Sequence, residues 1–294
     1  MRLYLFALAA CASSTPQPHP IAPAPSADIA LALPGPANAL HWDDATSTLY
    51  LVNEKANTLV AWTEHGGLKE VAALPARPAG VALGDIVMRP DHSLVVASFG
   101  FGTEGTVIAV AGDKATAVTG LEPTRRRIGL AIDPSGNLYS AYFVAAGKGV
   151  PPEGGVSVIS LDGSSATERE IAGPSTNAGF KKIVGVAAAR DSIYVSDQAL
   201  KTIFKLGVPG YTLSPVATVP AADLLMLLPG GDLVTGGGPT VTRVSPSGTV
   251  STIAGPHFTD VRGLAYDAAH HRLFVLDHDK DHHADTVHTL AVEP

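Results

Sequence analysis

The chain has 294 residues, a single cysteine, 20 basic against 27 acidic side chains and a formal net charge of −7. That balance excludes binding to nucleic acid or anionic lipid through bulk charge, and one cysteine excludes an intramolecular disulfide. Charged residues make up only 16% of the chain, below the ~25% of an average soluble protein. Small residues are abundant instead, and these suit strands crowded around an axis.

The N-terminal segment reads as a targeting signal. Met1 and Arg2 give a basic start, and residues 3–10 (LYLFALAA) are apolar. That run is far shorter than the ~20 residues a membrane span needs. Leu8-Ala9-Ala10-Cys11 resembles the bacterial lipobox, in which the cysteine is lipidated and becomes the mature N-terminus; an ordinary signal peptide that happens to contain a Cys is the plainer alternative. Ala12, rather than Asp, after the cysteine resembles outer-membrane sorting. Residues 12–27 (ASSTPQPHPIAPAPSA) are rich in Pro, Ala and Ser and lack apolar periodicity, the composition of an extended tether. At ~3.1 Å per residue it reaches roughly 50 Å. The expected layout is a signal peptide over residues 1–10, a tether over 11–27 and one domain over 28–294. It implies a monomer held to the membrane by its N-terminal lipid, in the cell envelope and facing the periplasm.

From about residue 36 one unit recurs. Its clearest copy is residues 183–206 (IVGVAAARDSIYVSDQALKTIFKL), which reads as three short strands joined by turns. The second strand is the marker: LYLVN, LVVAS, LYSAY, IYVSD, LVTGG and LFVLD end at Asn53, Ser98, Tyr142, Asp197, Gly237 and Asp277. Each follows a first strand (ALHWD, DIVMRP, GLAIDP, GVAAA, DLLML, GLAYDA) across a turn of Asp, Gly, Pro or Ser, the residues tight turns select. Units of roughly 40–50 residues with three or four strands are the signature of a β-propeller. The predicted fold is therefore all-β, a six-bladed propeller of four-stranded blades.

Residues 28–34 (DIALALP) are worded like the fourth strands EVAALP, EIAGP, PVATVP and TIAGP, whereas the last unit ends on its third strand, residues 285–292. The N-terminal strand is thus expected to complete the sixth blade. An open ring would leave an unpaired edge. The third unit is the longest, and the insertion FVAAGKGVPPEG (residues 143–154) is expected to account for it, either as a loop carrying a site or as a neutral surface insertion.

Several motifs resolve to something plainer. GFGTEG (residues 100–105) matches G-x-G-x-x-G, but the strand TVIAV follows it where a dinucleotide site needs a helix. Gly236-Gly237-Gly238 lacks the Gly-Lys-Ser/Thr of a phosphate loop, and neither G-x-S-x-G nor H-E-x-x-H occurs. Arg125-Arg126-Arg127 is either an anion contact or a solvated link. Asp277, Asp279 and Asp281 have the alternate spacing of a calcium loop, without its turn glycine or closing glutamate. With three nearby imidazoles the stretch suits a divalent metal such as calcium or a transition metal, or else a hydrated hairpin.

The units HWDDATSTLYLVN, GLAIDPSGNLY, IYVSD and GLAYDAAHHRLFVLD resemble the six-bladed propellers of the gluconolactonase and senescence-marker-protein family, and more loosely NHL repeats. The resemblance spans roughly residues 36–290. It implies a divalent metal over the channel, held by polar residues at positions that fall here on Asn38, Ile128, Val184 and Asp223. Ile128 and Val184 cannot bind a cation, and a hard cation needs several oxygens. The family's metal site is expected to be dismantled, with Arg262 pairing to Asp223 in its place. Two functions follow. The first is a lipid-anchored binding module for a small molecule or protein, acting on its channel-mouth face through Asn38, Asn53, Asp85, Arg127, Asp197, Asp223 and Arg262. The alternative is a divergent, metal-dependent lactonase-like hydrolase.

Overall fold

In the computed structural model, which describes residues 28–100, 104–145, 152–255, 258–279 and 284–293, the strands form six four-stranded antiparallel sheets. Each is an up-and-down meander whose first strand is innermost. The inner strands are Ala37–Asp43, Ala82–Met88, Arg126–Ile132, Ile183–Ala188, Leu225–Leu227 and Val261–Asp267, for blades one to six. Among the described residues helix is confined to one 3-10 turn, Pro174–Thr176, and no helix is long and apolar enough to cross a membrane.

The sixth blade closes as its sequence implies. Asp28–Ala32 lies outermost against Ala284–Ala291, with Asp28 opposite Thr289 and Ala32 opposite Thr286. Leu33 N then donates to Asp285 O at 2.9 Å. The Asp285 carboxylate, almost wholly buried, takes the Ala37 amide at 2.6 Å and His278 Nδ1 at 2.6 Å. A charged acceptor holding a buried backbone donor is a strong hydrogen bond. It ties the start of blade one to the end of blade six.

The inner strands explain the small residues. Five of the six break register near their start, at Asn38/Leu40, Leu83/Ile86, Arg127/Leu130, Ile183/Gly185 and Val261/Gly263. Such bulges bend a strand and sharpen its twist. Glycine stands at or inside four of these breaks because the next blade leaves no room. A Cβ on Gly84 would lie 2.6 Å from Ile128 O, one on Gly129 2.5 Å from Val184 O, and one on Gly185 2.5 Å from Asp223 O. In blade one the position is Ala39, at φ 53°.

Apolar side chains fill the spaces between blades. The interface of blades six and one gathers Trp42, Trp62, Phe274, Leu276 and Val287, with the Trp42 and Phe274 rings 5.0 Å apart. The turn aspartates that end inner strands are caps. Asp43 takes Ala45 N, Asp133 takes Ser135 N and Asn137 N, and Asp267 takes His270 N. The extra length of blade three is shared between the insertion, part of which (residues 146–151) lies outside the described residues, and two long outer strands, Glu153–Asp162 and Ser165–Ala172.

Candidate functional site at the channel mouth

All inner strands start at one face of the ring, and there they enclose a cavity of about 500 Å³. Asn38, Glu54, Phe99, Gln198, Asp223, Asp260 and Arg262 bring the larger polar and aromatic side chains, while Ile128, Leu224 and Val261 form apolar wall.

Asp223 is the most unusual group. It precedes the inner strand of blade five, where its amide donates to Gly236 O and its carbonyl accepts from Ser196 Oγ. The backbone is thereby fixed on both sides. Its carboxylate takes Gln198 Nε2 at 2.9 Å. Burial raises its pKa above the ordinary carboxylate value, Lys182 and the Gln198 hydrogen bond oppose that rise, and the charge of Asp260 adds to it. A carboxyl whose proton affinity is raised by desolvation beside a cavity is better suited to taking up and giving back a proton than an ordinary exposed one.

Asn38 and Glu54 grip one residue of the next blade. Asn38 Nδ2 donates to Leu83 O at 3.1 Å, and Leu83 N donates to Glu54 Oε1 at 3.0 Å. Arg262 does not pair with Asp223 as expected; its Nε lies 3.2 Å from Asp260 Oδ2. Asp260 is two residues away on the same approach to the strand, whereas Asp223 is engaged by Gln198. Arg262 remains about a third exposed.

The other sequence candidates lie elsewhere. Arg127 is fully buried, donating to Gly105 O, Glu122 O and Arg125 O and pairing with Glu168. It is a clamp behind the rim, consistent with neither the solvated link nor the anion contact. Asp197 is also fully buried and accepts four amides, those of Lys181, Lys182, Ala199 and Leu200. Asp277 accepts the amides of Thr259 and Asp260 at the same repeat position. These two aspartates hold the link that delivers each inner strand. Asn53 Oδ1 takes the Ala56 amide and lines a separate pocket of about 200 Å³ on the blade-one flank. Asp85 faces the opposite end of the channel. Asp279 ends its strand, Arg272–Asp279. Asp281 and Cys11 lie outside the described residues.

Among the described residues no three of His, Cys, Asp and Glu gather as a metal cage. Of the four positions the family resemblance implies, Asn38, Ile128 and Asp223 do reach the cavity. Val184 is buried away from it, its carbonyl against Gly129. Those three positions, two oxygen-bearing and one apolar, do not by themselves make up the six or more oxygens a hard divalent cation takes.

Glu54, Phe99 and Gln198 were not singled out by sequence. Each directly follows a marker-strand end, after Asn53, Ser98 and Asp197. That position crosses onto the mouth in three blades, and the repeat alignment contained this signal.

No family model and no curated protein matches the chain. Solved structures do match in shape. A gluconolactonase from Xanthomonas campestris has a TM-score of 0.67 at 16% identity, over 87% of this chain and 86% of that one. Regucalcin from Agrobacterium tumefaciens, a calcium-binding protein, gives 0.64 at 14% identity, over 87% and 91%. The PQQ-bound aldose sugar dehydrogenase of Streptomyces coelicolor gives 0.64 at 13% identity, over 92% and 99%. At these identities the likeness shows architecture alone: the chain is a six-bladed β-propeller built like those of gluconolactonases and regucalcin.

Proposed function

We propose that this chain is a divergent gluconolactonase-like hydrolase that acts on a small polar molecule at the channel mouth, using protein side chains rather than a mouth metal. The observation that carries the reading is Asp223, a carboxyl with raised pKa, held by Gln198 and set against a cavity that also contains Arg262. The shape shared with gluconolactonases supports the same reading. In this scheme the ionised Asp223 takes a proton from a water whose oxygen bonds to a ring carbonyl carbon. The guanidinium of Arg262 steadies the resulting oxyanion. The ring C–O bond then breaks, and the proton returns through Asp223 to the departing alkoxide. General-base catalysis of this kind supplies about 10²–10⁴-fold, and oxyanion stabilisation adds to it.

The second reading is a binding module without turnover. It is favoured by Ile128 and Val184 at two of the positions that would carry metal ligands. One experiment separates them. The full chain is assayed on a lactone panel with chelator and with added Ca²⁺, Zn²⁺ or Mn²⁺, beside Asp223→Asn. Chelator-resistant turnover lost in Asp223→Asn supports the hydrolase. Ligand binding with no turnover supports the module. Turnover that requires added metal overturns the metal-free scheme.

For location, the lipobox-like Leu8-Ala9-Ala10-Cys11 supports a lipid-anchored envelope protein. The outermost strand starts at Asp28, on the face opposite the mouth, because its other end meets Asp285 beside Ala37. A tether leaving there would turn the mouth away from the anchor. Release of the Cys11→Ser protein into the soluble fraction is the expected result; wild-type protein found soluble and unlipidated by mass spectrometry would refute it.

A further inference from the structure

The channel has a second cavity at the end opposite the mouth. Its volume, about 520 Å³, matches that of the mouth, and the two share no lining residue. Both lie within the ~300–1,000 Å³ of small-molecule sites. The glycine-bearing bulges separate them: Gly84 lines the mouth and Asp85 the far cavity, as do Ala39 and Leu40. The far walls are mainly apolar, drawn from Leu40, Leu130, Met226, Leu228 and Tyr266 on blades one, three, five and six.

His41 and the exposed Arg190 are the polar side chains in these walls with no hydrogen bond among the described residues, and His41 is the one set within the channel. His41 projects half-buried from the inner strand of blade one, so its ring is open to a partner in the cavity. Burial lowers its pKa to about 4, against the pull of Asp43 and Asp44, so it is neutral at physiological pH. Asp85, Asp44 and Tyr266 are occupied. Asp85 takes the Ile86 amide on one oxygen and the Leu130 amide on the other. Asp44 takes Trp42 Nε1 and the Ala268 amide, and Tyr266 Oη bonds to Val292 O.

We propose that this far end is a second small-molecule site, taking a small, uncharged, mainly apolar molecule with one hydrogen-bonding group that His41 meets, as a phenol would. Asp44 and Arg190, both exposed at the rim, carry opposite charges that offset one another, and any ion would lose its hydration against the leucine walls without gaining a charged partner from His41. The proposal is independent of any turnover at the mouth.

The test uses the full chain labelled with methyl-¹³C methionine and titrated with phenol or toluene. The chain has three methionines. Met226 lines this cavity, and Met88 packs in the core between blades one and two as an internal control. The expected result is a saturable shift of the Met226 methyl with phenol at millimolar concentration, while Met88 stays still. Toluene should bind about five- to tenfold more weakly, the worth of one hydrogen bond. His41→Leu should erase that preference, His41→Gln should keep it, and Asp223→Asn should leave it untouched. If His41→Leu fails the circular-dichroism check for folding, the wild-type contrast between phenol and toluene decides. A Met226 signal that never moves, or equal affinity for the two probes in the wild type, would overturn the proposal.

Discussion

Asp85 should make the fold less stable as pH rises, and replacing it with Asn should abolish that loss. The side chain sits between the inner strands of blades two and three. Its Oδ1 takes the Ile86 amide at 2.9 Å and its Oδ2 the Leu130 amide at 3.1 Å. Burial nevertheless dominates and raises its pKa from 3.8 to about 7, with the two amides opposing. Among the described residues no cation pairs with the carboxylate. The folded form binds the proton more tightly than the unfolded form, so stability is full below about pH 4 and drains as pH rises through about 7. The difference in proton affinity corresponds to roughly 4 kcal/mol at most. Water entering the far cavity reduces this, and about 2 kcal/mol is expected to appear between roughly pH 5 and pH 8. Asn is isosteric and always neutral. Its Nδ2 cannot accept, so one of the two amides loses its acceptor and the variant carries a cost of about 1–3 kcal/mol that does not change with pH. The stability gap between the two proteins should therefore narrow as pH rises from 4 to 8. Urea unfolding of both proteins across this pH range reads the difference directly, because all other titrations cancel between them. Parallel curves for wild type and Asp85→Asn would show that the carboxylate is not desolvated and refute the reasoning.

Removing residues 1–34 should expose the sheet edge of Ala284–Ala291 and discard the Leu33 bond to Asp285; aggregation by light scattering is expected, and a soluble monomer melting like the full chain would contradict it. Gly129→Ala puts a methyl 2.5 Å from Val184 O and 3.0 Å from Gly185 Cα, both backbone atoms that cannot swing aside; a loss of about 1–3 kcal/mol in chemical denaturation is expected for such overpacking. Arg127→Met leaves Glu168 without one of its two arginines and removes a donor from three carbonyls, of which Glu122 O keeps the Arg125 amide; about 3–5 kcal/mol should be lost, with lactone binding at the mouth unchanged in calorimetry. Asp285→Asn weakens the bond to the buried Ala37 amide, for about 1–3 kcal/mol in the same assay.

The repeat was legible because the residues that mark it serve the same structural need in several blades. The glycine in an inner strand is there because the next blade's carbonyl is 2.5 or 2.6 Å from where a Cβ would be, as at Gly84, Gly129 and Gly185. The aspartate ending a marker strand, where one stands there, holds the amides of the link that leads into the inner strand of its own blade, as Asp197 and Asp277 do. Those needs are set within one blade and its neighbour, so they leave a periodic trace. They also explain why Asp197 and Arg127 read as functional candidates. A polar residue at the mouth end of a unit looks the same in sequence whether it faces the cavity or turns inward to satisfy backbone.

What the mouth can do depends on a different relation. Asn38, Gln198, Asp223 and Arg262 come from blades one, four, five and six, and only ring closure brings them to one cavity. Residues that must meet across the channel obey no local period. The choice of Asp260 over Asp223 as the partner of Arg262 shows the consequence. Both carboxylates are on the mouth, and Gln198, from the preceding blade, already occupies the second. That pairing leaves Asp223 without a bonded cation while burial keeps its proton affinity high. Had Arg262 reached Asp223, the ion pair would have pulled its pKa down and weakened it as a proton carrier. The chemistry proposed for the mouth therefore rests on which neighbour Asp223 has, a property of the assembled ring rather than of any repeat within it.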